Sequence, residues 1–227
     1  MKVSEGNNEL NGSVINAYKT AVVFGDTGDK ELTLSGTVVN GGIDGSAAIL
    51  GSDNGDTLIL QSIVSNQSTQ NTVVNGNINM GAGADTLTIG DGTIINGILD
   101  GGDSNSKDTL NFGISSGAKS IPAKSQGVNI IHNISNFQKM NINTDVTLFE
   151  KTIDTYGKET DLKVTGADEI KIGKNGTLTL RINSSKTVNE GGDDKITGHA
   201  LYENTGVISS LMEENFCLLS MGQEMKI

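Results

Sequence analysis

The stretch GAGADTLTIGDGTIINGILDGGDSNSKDTLNF, residues Gly81 to Phe112, decides how the rest of the chain is read. It states one phrase nearly twice: a Gly-rich turn, Asp-Thr-Leu-x-hydrophobic, a second turn, and a short apolar run closing on Asn-Gly. Alternation of apolar and polar residues over four to six positions marks half-buried strands, and the glycines mark the turns between them. The phrase recurs on both sides. Asp29, Asp56, Asp85 and Asp108 each open a strand, at intervals of 27, 29 and 23 residues. A second run follows three of these, as Val38-Val39-Asn40-Gly41, Val73-Val74-Asn75-Gly76 and Ile94-Ile95-Asn96-Gly97.

A unit of this size buries one apolar face and leaves backbone unpaired on both edges, so it is stable only between neighbours that pair with it. The predicted fold class is therefore all-β, a right-handed parallel β-helix, with crossovers of the usual hand. Asn40, Asn75 and Asn96 fall just before a glycine. They are expected to form a side-chain ladder within the bend, the asparagine tolerating the left-handed region.

The repeat is expected to run over residues 1–208 with an irregular excursion at about 113–136, which holds the single proline, Pro122. Beyond it, Val146-Thr147-Leu148, Ile170-Lys171-Ile172 and Leu178-Thr179-Leu180 resume the alternation. Residues 209–227 differ, carrying Met212, Met221 and Met225 with Leu211, Phe216, Leu218 and Leu219. A helical reading gathers much of this on one side, as a short capping helix over the end of the stack, with a non-native tail as the alternative.

With 227 residues, a net charge of −11 and Arg181 as its one arginine, the chain lacks the basic patch that nucleic acid requires. Cys217 stands alone, which leaves no internal disulfide and no Cys metal cluster. The N-terminus, MKVSEGNNELNGS, has no apolar signal-peptide core, so an exported parent would make this chain an internal fragment.

Chemistry-bearing motifs are few. GAGADTLTIGDG and GSDNGDTL resemble Ca²⁺-binding Gly-Asp turns, but the tandem nonapeptide period is missing, and turn formation explains the same residues. Gly113-Ile114-Ser115-Ser116-Gly117 fits G-x-S-x-G, and Ser116 with Lys119 fits S-x-x-K. Both motifs need a helix or strand elbow that a Gly/Ser loop does not supply. His132 and His199 have no ligand or triad spacing around them. No catalytic residue, metal site or cofactor is assigned, and the binding residues stay open.

The phrases GAGADTLTIGDGTIINGILDGG (81–102), ISNFQKMNI (134–142) and ADEIKIGKNGTLTLRIN (167–183) resemble passenger domains of large autotransporter adhesins of Gram-negative bacteria, particularly of oral anaerobes. The resemblance covers roughly residues 25–205. It implies a non-enzymatic adhesin on the cell surface at the outer membrane, attaching to a protein or glycan of a host cell or another bacterium. The translocator β-barrel of such proteins is not contained in this chain, and a monomer is expected. The alternatives are a carbohydrate-active β-helix enzyme of the polysaccharide-lyase kind and a purely structural spacer. The first would use clustered acids for Ca²⁺ and a basic residue that Arg181 alone would have to provide.

Overall fold

The computed structural model describes residues 1–65, 68–103, 105–113, 126–149, 151–153 and 158–182, and beyond them the strand backbones 186–187, 195–196, 207–210, 216–220 and 223–226. The chain is all-β, with no helix among the described residues. Three parallel sheets are visited in rotation. A short strand enters the first sheet, a longer one the second, and a third strand closes the unit, after which the chain returns one position further along each sheet.

The first sheet has seven strands, running from Lys2–Val3 through Val22–Phe24, Ile49–Leu50, Ile78–Asn79, Leu99–Asp100 and Ile134–Ser135 to Val164–Thr165. The second, called here the long face, has eight, from Gly6–Asn11, Lys30–Ser35, Asp56–Gln61 and Thr86–Ile89 to Thr109–Phe112, Lys139–Ile142, Glu169–Ile172 and Val207–Ser210. The third position holds a four-stranded sheet, Val14–Asn16, Val38–Asn40, Val73–Asn75 and Ile94–Asn96. A five-stranded sheet beginning at Val128–Ile130 then takes over. Long parallel sheets in this order are consistent with a solenoid-like fold.

Register explains the alternation in the sequence. Leu32, Leu58, Leu87, Leu110, Met140 and Ile170 are partners on successive strands of the long face, and Leu34, Leu60, Ile89, Phe112, Ile142 and Ile172 form a second column beside them. Both columns are buried. Inward residues of the other sheets, such as Ile49, Ile78 and Leu99, or Val39, Val74 and Ile95, meet them to make one continuous core. Polar partners Thr57, Thr86 and Thr109 take the outward positions. The first strand departs from the pattern: Asn8 stands where later units have leucine, and its Nδ2 donates to the carbonyls of Ser4, Gly6 and Glu31.

The asparagine ladder forms, but on the outer side of the third sheet. Asn40 Nδ2 donates to Asn16 Oδ1 at 2.6 Å, Asn75 to Asn40 at 2.6 Å and Asn96 to Asn75 at 2.7 Å. None of these asparagines is left-handed, since Asn136 is the one non-glycine with positive φ among the described residues. The glycines after them carry the close approach instead. A Cβ on Gly76, at φ +129°, would lie 2.5 Å from the Gly41 carbonyl oxygen, and one on Gly97 would lie 2.1 Å from that of Gly76.

Two further expectations change. The capping helix over 209–227 is replaced by strands: Val207–Ser210 pairs parallel with Glu169–Ile172, and Phe216–Ser220 with Thr177–Ile182. Gln223–Lys226 then turns back antiparallel on Phe216–Ser220. A strand satisfies the open backbone of the preceding edge, which a helix cannot do, and that demand outweighs the helical spacing of the apolar residues. The excursion at 113–136 is also narrower than its composition suggests. Val128–Ile130 pairs parallel with Val146–Leu148, Ile134–Ser135 belongs to the seven-stranded sheet, and 114–125, with Pro122, lie outside the described residues.

Stacking of like on like makes a single column residue costly to truncate. Leu87→Ala should lower unfolding free energy by about 2–5 kcal/mol, whereas Thr86→Ala, on the outer side, should change it by less than about 0.5 kcal/mol. Chemical denaturation of the two variants beside the natural chain checks this, and equal losses would contradict the assigned register.

Candidate functional site

The corner between the long face and the third sheet differs widely between units, as does the return to the first sheet, where Lys151–Ile153 pairs antiparallel with Glu159–Asp161. Its frame is a column of buried threonines. Thr37 Oγ1 donates to the carbonyls of Leu10 and Ser35, Thr72 Oγ1 to those of Leu34 and Gln61, and Thr93 Oγ1 to that of Leu60. Each hydroxyl thus ties the end of one strand to the unit before it. Between strand and threonine the connection is a single residue, Gly36, in one unit and Gly90-Asp91-Gly92 in another. In the unit between them it is Ser62 to Asn71, containing the antiparallel hairpin Ile63–Val64 with Thr69–Gln70.

The hairpin folds back over the preceding unit. A Cβ on Gly36, which sits at φ +54°, would be 2.9 Å from Ile63 Cδ1 and 3.1 Å from Gln70 Cγ, so glycine makes room for both side chains. Ile63 and Val64 remain 37% and 48% exposed at its edge. At the hairpin's base lies a notch over Gly92. Gln126 Oε1, Ser62 Oγ and Asn71 Oδ1 stand 2.8, 3.3 and 3.4 Å from where a Gly92 Cβ would be, and the last two oxygens are buried without a hydrogen bond. Asp91 anchors the chain where it re-enters after 114–125, accepting the N–H groups of Gln126 at 2.9 Å and Gly127 at 2.6 Å and the Thr144 hydroxyl at 3.2 Å. The corner therefore exposes the apolar edge of Ile63 and Val64 while the Ser62 and Asn71 oxygens stay buried beneath it.

A second cluster lies inside the opposite end of the long face. Asp56, Asp85 and Asp108 stack in one column, all 1% exposed or less. Asp85 Oδ1 accepts the Asp56 N–H at 2.6 Å, Asp108 Oδ1 accepts the Asp85 N–H at 2.8 Å, and Gln138 Oε1 accepts the Asp108 N–H at 2.6 Å. The other end of the column is Lys30, paired with Asp56 at 3.5 Å. Asp29, read from the sequence as the first member of this series, stands one residue away and is exposed, because the register partner of Asp56 is Lys30. These carboxylates are occupied with backbone rather than turned to a ligand. Among the described residues no group of three or more His, Cys, Asp or Glu is placed to hold a metal ion.

The oxygens of the column are unequally served. Asp56 Oδ2 accepts from Ser52 N–H and Oγ–H, and Asp108 Oδ2 from the Ser106 hydroxyl at 2.6 Å, but Asp85 Oδ2 is buried without a partner. Gly81 occupies in this unit the place that Ser52 has in the one before, as the Ala82 N–H bond to the Ser52 carbonyl shows. Burial pushes the Asp85 carboxyl up to about 7, against the pull of the Asp56 N–H, and the neighbouring Asp108 and Asp56 charges add to the rise. Burial likewise raises Asp108.

No family model, no curated protein and no solved structure matches this chain. The remaining sequence candidates do not converge. Ile114, Ser115, Ser116, Gly117 and Lys119 lie outside the described residues, as does His199. His132 is half-buried, 3.1 Å from the Thr152 hydroxyl through Nδ1, and burial lowers its affinity for a proton. Arg181 and Cys217 are strand residues, opposite Phe149 and Thr179 respectively. The sequence reading missed Lys30, Gln138 and Asp91. Counting two positions back from the first inward residue of each long-face strand finds the first two; nothing local marks Asp91, whose partners are 35 or more residues away.

A raised carboxyl favours the neutral form in the folded state, so its contribution is greatest below the unfolded value of 3.8 and declines as pH rises towards about 7, where the buried group must ionise. Denaturation midpoints of the natural chain should fall between about pH 4 and 7 in part through Asp85. In Asp85→Asn, which keeps the acceptor for the Asp56 N–H, that decline should be shallower. Parallel slopes for the two proteins would assign the pH dependence elsewhere.

Proposed function

We propose that this chain is a stretch of right-handed parallel β-helix from a cell-surface adhesin of the autotransporter-passenger kind, acting without catalysis and binding a protein or glycan of another cell. The observation that carries the reading is the confinement of irregularity to corners. The first sheet and the long face keep register across the units, while the extra residues fall in connections: Ser62–Asn71 and 114–125 between the long face and the third position, and the hairpin of Lys151–Ile153 with Glu159–Asp161 between the third position and the first sheet. A rigid scaffold that varies at its loops is how binding proteins commonly place their contacts.

The chemistry of that corner supports the partner class. Exposed Ile63 and Val64 suit an apolar patch on a partner's surface. The net charge of −11 argues against anionic partners such as nucleic acid. The buried placement of Asp56, Asp85 and Asp108 favours this reading over a lyase, whose acids would have to face substrate.

The scaffold itself offers a conservative test. Ser62 and Asn71 correspond to Asp91 and Gly92 two positions before and one before the corner threonine, so replacing residues 62–71 by Asp-Gly should leave the stack intact. Circular dichroism and the thermal midpoint should stay close to those of the natural chain. Binding to a panel of host cells, bacteria and glycans should fall by about tenfold or more, the loss of about 1.4 kcal/mol that one anchoring contact can supply. Undiminished binding by a folded variant would favour the spacer reading, and cleavage of a uronate polysaccharide by the natural chain would favour the enzyme.

A further inference from the structure

Lys30 and Asp56 are register partners on adjacent strands of the long face, and both side chains are wholly out of solvent. Nζ stands 3.5 Å from Asp56 Oδ1 and 3.4 Å from Ser52 Oγ, and it also donates to the Gly28 carbonyl. The two oxygens of Asp56 are in different situations. Oδ2 is held by Ser52 N–H at 2.8 Å and by Ser52 Oγ–H at 2.7 Å, whereas Oδ1 faces the amine. An ion pair fully removed from water costs desolvation that only close, well-satisfied geometry offsets. At 3.5 Å this pair is longer than a charge-assisted hydrogen bond of about 2.8 Å. A neutral amide between the same atoms carries no such cost.

We propose that Lys30 and Asp56 join in an intramolecular amide cross-link between neighbouring units, with Ser52 holding the oxygen that remains. Burial holds nucleophile and carboxyl together in one strand pair, which supplies the proximity that a bimolecular reaction lacks. The ammonium passes one proton to Asp56 Oδ1, which faces it at 3.5 Å, leaving a neutral amine beside a neutral carboxylic acid. The freed Nζ attacks Asp56 Cγ, forming the C–N bond, and the negative charge on Oδ2 is stabilised by the two Ser52 donors. A second proton moves from Nζ to Oδ1, and the Cγ–Oδ1 bond breaks to release water. Of the three ammonium hydrogens, two leave in the water and one stays on the amide. No oxidant or co-reactant is needed. In a chain whose one cysteine, Cys217, provides no internal disulfide, this bond would close the 30–56 loop covalently.

Intact-mass spectrometry of the folded full-length chain decides the matter. The expected mass is lower than that of the sequence by one water, and a protease digest should contain one branched peptide joining the Lys30 and Asp56 segments. Lys30→Met and Asp56→Ala should each restore the full mass, and Asp56→Asn should lose ammonia instead of water. An unshifted mass for the natural chain, folded and held at pH 5 to 8, would overturn the proposal.

Discussion

Everything in this chain rests on parallel pairing in register, at the roughly 4.8 Å separation of hydrogen-bonded strands. At that spacing a side chain's principal neighbours are its own equivalents in the units before and after, so the choice of residue is judged by how well it stacks on itself. Leucine, isoleucine and valine do so inside, and asparagine does so outside by bonding amide to amide along Asn16, Asn40, Asn75 and Asn96. The same rule turns difficult for aspartate. Three carboxylates stacked in the interior would repel one another, and the column of Asp56, Asp85 and Asp108 survives because each accepts a hydrogen bond from serine, lysine or backbone, and because one of them holds its proton up to about pH 7.

The ends of that column show how the constraint is relaxed. Lys30 begins it with an opposite charge, and Gln138 ends it with a neutral acceptor for the Asp108 N–H. Ser52 and Ser106 supply hydroxyls to two of the carboxylates, while Gly81, at the equivalent turn of the middle unit, supplies none. The turn backbones of neighbouring units run close together here, since a Cβ on Gly81 would meet the Ser52 carbonyl oxygen at 2.1 Å and one on Gly102 would meet the Gly81 carbonyl oxygen at 1.7 Å. Tight stacking at the turn and full satisfaction of the carboxylate compete at this position, and the stacking prevails.

Much of the framework was legible in the sequence because its period is carried by neighbouring residues. Alternation identified the inward leucines, and the Val-Val-Asn-Gly phrase located both the third sheet and the asparagine ladder. What failed was decided by partners distant in sequence. Asp29 looked like the counterpart of Asp56 by its place at the start of a strand, but alignment on Leu32 and Leu58 puts Lys30 there. The apolar residues of 209–227 are spaced as a helix could use them, yet an open parallel edge next to them demands strands. At the candidate site, the Gly/Ser composition of 113–136 signalled irregularity, whereas the hairpin at 63–70 passed as an ordinary run of polar residues. Its fold over Gly36 depends on the preceding unit and leaves no trace in local pattern.

Register also dictates where such a chain can vary. Inserting one residue within a strand would exchange its inner and outer faces, moving a leucine column into water and a threonine column into the core. At a corner the same insertion changes only a connection, provided the residues that restart the next strand are held. The buried threonines hold them: Thr72 bonds the Leu34 and Gln61 carbonyls although ten residues separate it from Gln61, just as Thr37 bonds Leu10 and Ser35 across a single intervening glycine. Asp91 does equivalent work for the segment that re-enters at Gln126. The corner can therefore carry connections of very different length on an unchanged stack, and a surface that must acquire new contacts without disturbing its support has its natural place there.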